Sequence, residues 1–168
     1  MRIDESIDES TDKRVVKPID KDVYQKGITE FEKALSAIPG SFSGHECDES
    51  LCPLKHTFVD GAYIREIFMP KGLVLTSKIH KVTHPYFVMS GSCSVLTETG
   101  IQRIRAPYYG VTVAGTKRLL QIHEDTVWVT IHVTKETDLD KIEEQIIAKD
   151  FNDPALNHAE YKMITKGV

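Results

Sequence analysis

The stretch GLVLTSKIHKVTHPYFVMSG, residues 72–91, decides the fold of this chain. It holds two runs rich in Val, Ile, Tyr, Phe and Thr, and glycine stands at both ends, as expected of short β-strands. Because side chains alternate along a strand, Val74, Thr76, Lys78 and His80 are expected to share one face. His84 follows a tight turn and is expected to point into the same hollow.

The same strand pattern continues on both sides of this stretch. The predicted strands are Ala62–Met69, Leu73–His80, Tyr86–Met89, Ser92–Glu98, Ile101–Ile104, Tyr109–Val113, Arg118–His123 and Val127–Thr134. Short turn signals separate them, including Ser90-Gly91 and His123-Glu124-Asp125. Strands this short and this regularly spaced are typical of an antiparallel sandwich or barrel.

Helical periodicity flanks the strands. Apolar residues recur at helical spacing between Asp20 and Pro39, and an amphipathic helix is predicted over Asp138–Ala148. We therefore divide the chain into a mobile acidic arm (1–17), an N-terminal helix with a Cys/His loop (18–57), a β-barrel (58–135), and a C-terminal helix and tail (136–168).

Composition and charge argue against several classes of protein. The net charge is -4, so there is no basic surplus to neutralise the phosphates of a nucleic acid. No apolar run approaches the roughly eighteen residues needed to cross a bilayer, and the acidic N-terminus is unlike a secretory signal. Three cysteines do not suggest a disulfide framework. We expect a cytoplasmic protein that binds neither nucleic acid nor membrane.

The spacing within residues 72–91 resembles the first motif of the cupin superfamily, G-x5-H-x-H-x3,4-E-x6-G. Gly72 and Gly91 match its ends, and His80 matches its second histidine. Lys78 stands where the first histidine belongs, and His84 stands where the glutamate belongs.

The second cupin motif, G-x5-P-x-G-x2-H-x3-N, matches less well: Gly115 fits its internal glycine, and Arg118 occupies its histidine position. The phrases CPLKHTFVDGAYIREIFMPKG, KIHKVTHPYFVMSG and HEDTVWVTIH also resemble cupin-like proteins of tailed bacteriophages. The resemblance implies a mainly β chain with a small antiparallel jelly-roll barrel between flanking helices. It also implies a phage origin, a place in the host cytoplasm or the virion, and a homodimer or larger homo-oligomer.

The expected pocket has three open interpretations. In the first, His80 and His84 bind one divalent metal ion (zinc, iron, manganese or nickel), with Glu66 or a water as the third ligand. In the second there is no metal, and Lys78, Arg118 and protonated histidines form a positive cup for a carboxylate or phosphate. In the third, carboxylates such as Glu66 satisfy these side chains internally, and the site has no function.

The function predicted from these residues is binding of a small anionic molecule, such as a carboxylate, sugar or nucleotide. In an enzyme, Glu66 would act as the base and Arg118 would clamp the anion, in a metal-assisted or acid–base reaction. Tyr63 and Tyr108 could stack on the ligand or donate a hydroxyl. The alternative is a non-enzymatic phage protein, either a virion component or a binder that sequesters a host small molecule.

A second group of soft ligands lies in the loop before the barrel, at His45, Cys47, Cys52 and His56. These residues could form a closed zinc site or belong to a solvated loop with free thiols. Their spacing matches no standard zinc finger or ribbon, which favours the solvated loop. Cys93 lies within a predicted strand and is expected to be a small buried hydrophobe.

Overall fold

The computed structural model describes residues 18–38 and 50–158, and within them the chain is mainly β. Its elements are α1 (Lys21–Ser36), β1 (Leu54–Val59), β2 (Ala62–Met69), β3 (Val74–Thr76), β4 (Ile79–His80), β5 (His84–Thr97), β6 (Gly100–Arg105), β7 (Tyr108–Thr112), β8 (Leu119–Val133), α2 (Leu139–Ile146), β9 (Ile147–Ala148) and a 3₁₀ helix at Pro154–His158. The predicted acidic arm lies outside the described residues. Neither α-helix is long and apolar enough to cross a membrane.

Seven strands form one antiparallel sheet in the order β1-β2-β8-β5-β6, with β3 paired to β8 and β7 paired to β5. The short strands β4 and β9 pair separately, also antiparallel. The first part of β8 pairs with β3 and its last part with β2, so this one long strand joins both halves of the sheet. The antiparallel β architecture with flanking helices is confirmed, but β1 and β6 do not meet, and the predicted barrel is therefore open.

Two predicted turns are bulges within continuous strands. Ser90-Gly91 lies inside β5, and His123-Glu124-Asp125 lies inside β8, where the pairing of the two strands shifts register. Turn-forming residues also suit a bulge, because an extra residue in one strand needs the same unusual backbone conformations. Gly91 shows this directly, with a φ of 82°.

The predicted strand Leu73–His80 is not continuous, because it is interrupted at Ser77-Lys78. Its first part, β3, pairs with β8, whereas its second part, β4, pairs with β9. The Oγ atom of Ser77 accepts a hydrogen bond from the backbone N–H of Arg118 at 2.9 Å. The strict alternation expected along this run therefore fails, and Leu75 and Thr76 are both buried.

Both helices pack on the sheet through a few buried side chains. Asp20 caps α1 by accepting hydrogen bonds from the backbone N–H groups of Asp22 and Val23, each at 3.1 Å. The Tyr24 hydroxyl lies 2.9 Å and 3.0 Å from the carbonyl oxygens of Leu96 and Lys117, which attaches α1 to the sheet.

The main core cluster comprises Cys52, Ile67, Met69, Leu75, Tyr86, Val88, Cys93, Val95, Ile104, Leu120, Ile122 and Trp128.

Helix α2 covers a different part of the sheet. It begins after Asp138, whose side chain accepts hydrogen bonds from two backbone N–H groups of the first turn. Ile142 and Ile146 are buried in a smaller cluster with Tyr63 of β2. This contact holds α2 across one opening of the sheet and encloses the cavity described below.

Candidate metal centre and ligand cavity

A cavity of about 330 Å³ lies between the sheet and α2. Its apolar wall consists of Leu54, Ile67, Met69, Leu75, Leu120, Trp128, Leu139, Ile142, Ile146 and Ile147. Its polar lining includes histidines, threonines, cations and two carboxylates. A mostly apolar hollow with a few convergent polar groups is the usual form of a small-molecule site.

Three imidazoles meet beside this cavity: those of His80 and His84 line it, and the ring of the buried His132 contacts both. The ring centroids of His80 and His84 are 4.2 Å apart, those of His84 and His132 are 4.3 Å apart, and those of His80 and His132 are 5.3 Å apart. One ring nitrogen from each residue lies within 4.8 Å of those of the other two. The predicted proximity of His80 and His84 is therefore found, and His132 is a third member that the sequence did not identify as a ligand.

Each histidine reaches the cluster from a different strand. His80 lies on β4, which pairs with β9 directly after α2, and His84 is the first residue of β5. His132 lies near the end of β8, opposite Tyr63 of β2. Trp128 and His132 were expected on one face of the last strand, and that face is the cavity face.

Hydrogen bonding distinguishes the three rings. The Nδ1 atom of His84 lies 3.0 Å from the carbonyl oxygen of Val82. Because a carbonyl only accepts, Nδ1 carries the proton, and Nε2 keeps its lone pair. The Nδ1 atom of His80 and both ring nitrogens of His132 are buried and have no hydrogen-bond partner among the described residues. Buried polar atoms of this kind need an explanation, and an absent ion or ligand is one of the few available.

Burial lowers the pKa of all three imidazoles. The pKa of His80 lies well below its ordinary value of 6.5, chiefly because of burial and then because of His84, His132, Arg65 and Arg118. Burial lowers the pKa of His84 to about 4, with its backbone hydrogen bond opposing and Arg118 adding to the effect. Burial, His84 and Arg65 lower the pKa of His132 to about 3. All three rings are therefore neutral at pH 7, as metal coordination requires.

The three histidines fit a divalent transition metal ion. They are neutral and close together, His84 and His132 are buried, and three of their ring nitrogens have no partner among the described residues. Imidazole ligands suit zinc, iron, nickel and copper in preference to calcium or magnesium. The hydrogen bond to Val82 is the kind of outer contact that orients a ligating histidine. The alternative with protonated histidines in a positive cup does not agree with their lowered pKa values.

The predicted cations Lys78 and Arg118 both line the cavity, and Arg65 joins them. Lys78 forms an ion pair with Glu143 of α2, with an Nζ–Oε1 distance of 2.5 Å. The Arg118 guanidinium carbon lies 5.1 Å from the ring centroid of Tyr86. The two arginines thus supply positive charge from β2 and from the residue just before β8.

Glu66 and Tyr108 do not line the cavity. Alternate residues of β2 do so, including Tyr63 and Arg65, which places Glu66 on the other face of the strand, between Lys55 of β1 and Val129 of β8. Tyr108 packs against the core, and its hydroxyl accepts a hydrogen bond from Nε2 of Gln102 at 3.0 Å. The structure therefore brings neither residue to the histidines.

Tyr63 does line the cavity, as predicted, and it has a partner that the sequence did not indicate. Its hydroxyl lies 2.7 Å from Nδ1 of His56, and its ring stacks on that of His132 with centroids 6.0 Å apart. Burial raises the pKa of Tyr63, so its hydroxyl stays protonated at neutral pH. It can donate a hydrogen bond beside the histidine cluster.

The structure describes two of the four candidate ligands of the Cys/His loop, Cys52 and His56. His45 and Cys47 lie outside the described residues, and Cys52 is fully buried. Among residues 18–38 and 50–158, the only potential metal-binding cluster is the one formed by His80, His84 and His132. Cys93 is buried, as predicted, and burial raises its thiol pKa to about 11.

No known family model and no curated protein matches this chain in sequence. Solved structures with a similar fold include the unknown-function protein VPA0057 from Vibrio parahaemolyticus, with 13% identity and a TM-score of 0.45 over 55% of this chain and 93% of that one. They also include a cupin 2 conserved barrel domain protein from Leptotrichia buccalis (13%, 0.44, 51% and 42%) and a cupin superfamily protein from Desulfitobacterium hafniense (10%, 0.44, 54% and 84%). At these identities and TM-scores the likeness concerns the fold, and no argument about function rests on it. What the structure itself shows is a mainly β chain with one antiparallel seven-stranded sheet and two flanking α-helices in the described residues.

Proposed function

We propose that this protein is a cupin-type binding protein that holds one divalent transition metal ion through His80, His84 and His132. The ion and the surrounding cavity together bind a small anionic molecule. One observation supports the proposal above all others: three neutral imidazoles meet, two of them lining the cavity, and three of their ring nitrogens have no hydrogen-bond partner among the described residues.

The charge of the cavity favours an anionic ligand. Arg65, Lys78 and Arg118 line it together with two carboxylates, those of Asp140 and Glu143. A divalent cation added to this lining leaves an excess of positive charge, and an anion bound beside the ion relieves the repulsion. This combines two interpretations that the sequence left as alternatives, the metal and the anion-binding cup.

The chain itself supplies the surroundings in which such a ligand is bound. A bound metal would act as a Lewis acid toward its ligand. The apolar wall and α2 limit the access of water to the cavity, which strengthens the electrostatic interactions inside it. Tyr63, whose hydroxyl lies 2.7 Å from Nδ1 of His56, can donate a hydrogen bond to a ligand when the His56 ring carries its proton on Nδ1.

The metal content of the purified protein tests the proposal. A chelator first removes any bound metal from the protein, and separate samples are then loaded with zinc, cobalt, manganese, iron(II) or nickel. After desalting, the metal content of each sample is measured by inductively coupled plasma mass spectrometry. We expect about one ion per chain, lost in a His80→Asn/His84→Asn/His132→Asn variant. His123→Asn is the matched control, because His123 lies outside the cavity and contacts Ser94 at 2.7 Å. Retention of stoichiometric metal by the triple variant would disprove the assignment.

Cobalt loading adds a spectroscopic readout of the ligands, since the visible absorption of Co²⁺ reports its coordination. Turnover of a bound molecule by the loaded protein would indicate an enzyme, whereas stoichiometric retention without turnover would indicate the sequestering binder considered as the alternative. The phage origin, the homodimer and the location in host cytoplasm or virion stay predictions from the resemblance alone.

A further inference from the structure

Arg118 is a buried cation without a carboxylate partner in the described part of the chain. The residue is 8% exposed and lines the cavity just before β8 begins. None of the ion pairs among the described residues includes it. Its neighbour Lys117, by contrast, pairs with Glu32 at 2.6 Å.

A buried guanidinium of this kind is unfavourable for the folded state. Taking a charge out of water costs several kcal/mol unless an opposite charge or a set of hydrogen bonds compensates it. Burial lowers the pKa of Arg118, and Tyr86, Tyr24, Glu98 and Tyr108 counteract the effect through their proximity. Arginine nevertheless stays charged in proteins, and no carboxylate of the described residues forms an ion pair with Arg118.

The surroundings hold Arg118 in a fixed position. Its guanidinium lies over the ring of Tyr86, which itself stacks on Trp128 with centroids 4.4 Å apart and planes 9° apart. Thr130, the register partner of Tyr86, also lines the cavity, and its buried hydroxyl has no hydrogen-bond partner among the described residues. A fixed cation and an unsatisfied hydroxyl therefore face the same hollow.

The other cavity cations are already engaged. Lys78 pairs with Glu143, and Arg65 also has interactions within the chain. Arg118 has no ion pair within residues 18–38 and 50–158, and its planar fork matches a carboxylate in two places. The cavity wall near it, with Ile67, Met69, Leu120 and Trp128, is apolar.

We infer that the ligand of this cavity is a small monocarboxylate with an apolar body, whose carboxylate binds Arg118 and the hydroxyl of Thr130. The inference rests on the proposed function in that the cavity takes a small anionic molecule, and it adds the chemical class of that molecule. Benzoate and hexanoate are suitable probes because they carry one carboxylate on an aromatic or an aliphatic body. Their amides have nearly the same shape without the charge.

The protein contains a single tryptophan, and Trp128 is that residue, so its fluorescence reports directly on the cavity. We expect benzoate or hexanoate to change this fluorescence in a saturable way and to bind roughly 10- to 100-fold more tightly than the matching amide. In Arg118→Met that preference disappears, and in Arg118→Lys part of it remains. Equal binding of acid and amide to the native chain, no saturable signal with either acid, or an unchanged preference in Arg118→Met would overturn the inference.

Two further measurements separate this inference from the proposed metal site. Arg118→Met should keep about one metal ion per chain, because Arg118 is not among the three ligands; if the native chain bound no metal but still preferred the acid, the metal assignment alone would fail. Arg118→Met should also melt no lower than the native protein without ligand, since it removes an uncompensated buried charge. Benzoate or hexanoate should raise the melting temperature of the native chain and leave that of Arg118→Met unchanged.

Discussion

The ring of His132, near the end of β8, stacks on the ring of His80 on β4, with centroids 5.3 Å apart and an angle of 11° between the planes. Nδ1 of His80 and both nitrogens of His132 are buried without a hydrogen-bond partner among the described residues. Each unsatisfied polar group of this kind lowers stability by about 1–3 kcal/mol. The unsatisfied nitrogens of the histidine cluster therefore lower the free energy of unfolding of the metal-free protein. An ion bound to these nitrogens would raise it again.

Replacing His132 with an apolar residue should reveal this exchange. We expect His132→Leu to raise the free energy of unfolding of the metal-free protein by about 1–2 kcal/mol, because the unsatisfied nitrogens are removed. The same change should abolish the stabilisation by added metal, which in the native protein reaches about 2.7 kcal/mol at a free concentration 100 times the dissociation constant. Urea unfolding with and without zinc measures both effects. A destabilised metal-free variant, or one that zinc still stabilises, would contradict the interpretation.

Acid should destabilise the metal-free protein through these rings. Burial lowers the folded-state pKa of His84 to about 4 and of His132 to about 3, whereas the unfolded chain keeps the ordinary value of 6.5. Above pH 6.5 neither state binds the protons, so these rings add no pH dependence there. Below pH 6.5 the unfolded chain binds protons that the folded chain rejects, and each ring lowers the free energy of unfolding by up to about 1.4 kcal/mol per pH unit until the folded pKa is reached.

Unfolding titrations of the metal-free chain between pH 7.5 and pH 5 measure this decline. His132→Leu is the control, because it removes one of the titrating rings and should make the decline shallower. An equal slope in the variant would show that His132 does not contribute.

The sequence predicted His80 and His84 as neighbours because the cupin-like spacing places both around one turn. Lys78, Arg118 and Tyr63, which it also singled out, line the cavity. It did not identify His132 as a ligand, because the place of that residue depends on β8 running unbroken to Val133 beside β2. Local patterns do not show which distant strands will be neighbours.

Glu66 lies away from the cavity for a different reason. Alternation along β2 required that Arg65 and Glu66 face opposite sides, but one strand alone does not show which face meets the cavity. The pairing of β2 with β1 and β8 decides which face meets the cavity, and the residue that lines the cavity is Arg65.

The bulges at Gly91 and at His123-Glu124-Asp125 were mistaken for turns, because both features use the same residue types.

Gly91→Ala should be strongly destabilising. Gly91 has a φ of 82°, and an added Cβ would meet the backbone of Asp125 and lie 2.5 Å from Oγ1 of Thr126. Backbone strain and this clash at the β5–β8 bulge should together lower the free energy of unfolding by about 3 kcal/mol or more. Gly27→Ala on α1 is the matched control, since nothing lies within 4 Å of its added Cβ and helix propensity favours alanine. Chemical unfolding of both variants provides the comparison, and equal stabilities would contradict the close approach.

Helix α1 should depend on one buried charge network. Glu32 pairs with Lys117 at 2.6 Å and accepts a hydrogen bond from Thr76 at 2.6 Å, and the Lys117 side chain is only 3% exposed. Glu32→Gln leaves the ammonium without its opposite charge and should lower the free energy of unfolding by about 3 kcal/mol. Glu30→Gln on the exposed face of the same helix should have little effect. Adding Lys117→Met to Glu32→Gln should recover most of the loss, and a double variant no more stable than Glu32→Gln alone would contradict this account.

Lys78 should behave differently from Arg118, although both line the cavity. The side chain of its partner Glu143 is 55% exposed, so water screens the pair, and Lys78→Gln should change the free energy of unfolding by less than about 1 kcal/mol. Because the charge of Lys78 is already balanced, the dissociation constant for benzoate or hexanoate should rise by no more than about threefold, against the far larger loss expected for Arg118→Met. Parallel tryptophan-fluorescence titrations of the two variants make the comparison. If Lys78→Gln weakened the acids as much as Arg118→Met, the anion would have to be shared between the two cations, and the carboxylate position inferred from Arg118 and Thr130 would be wrong.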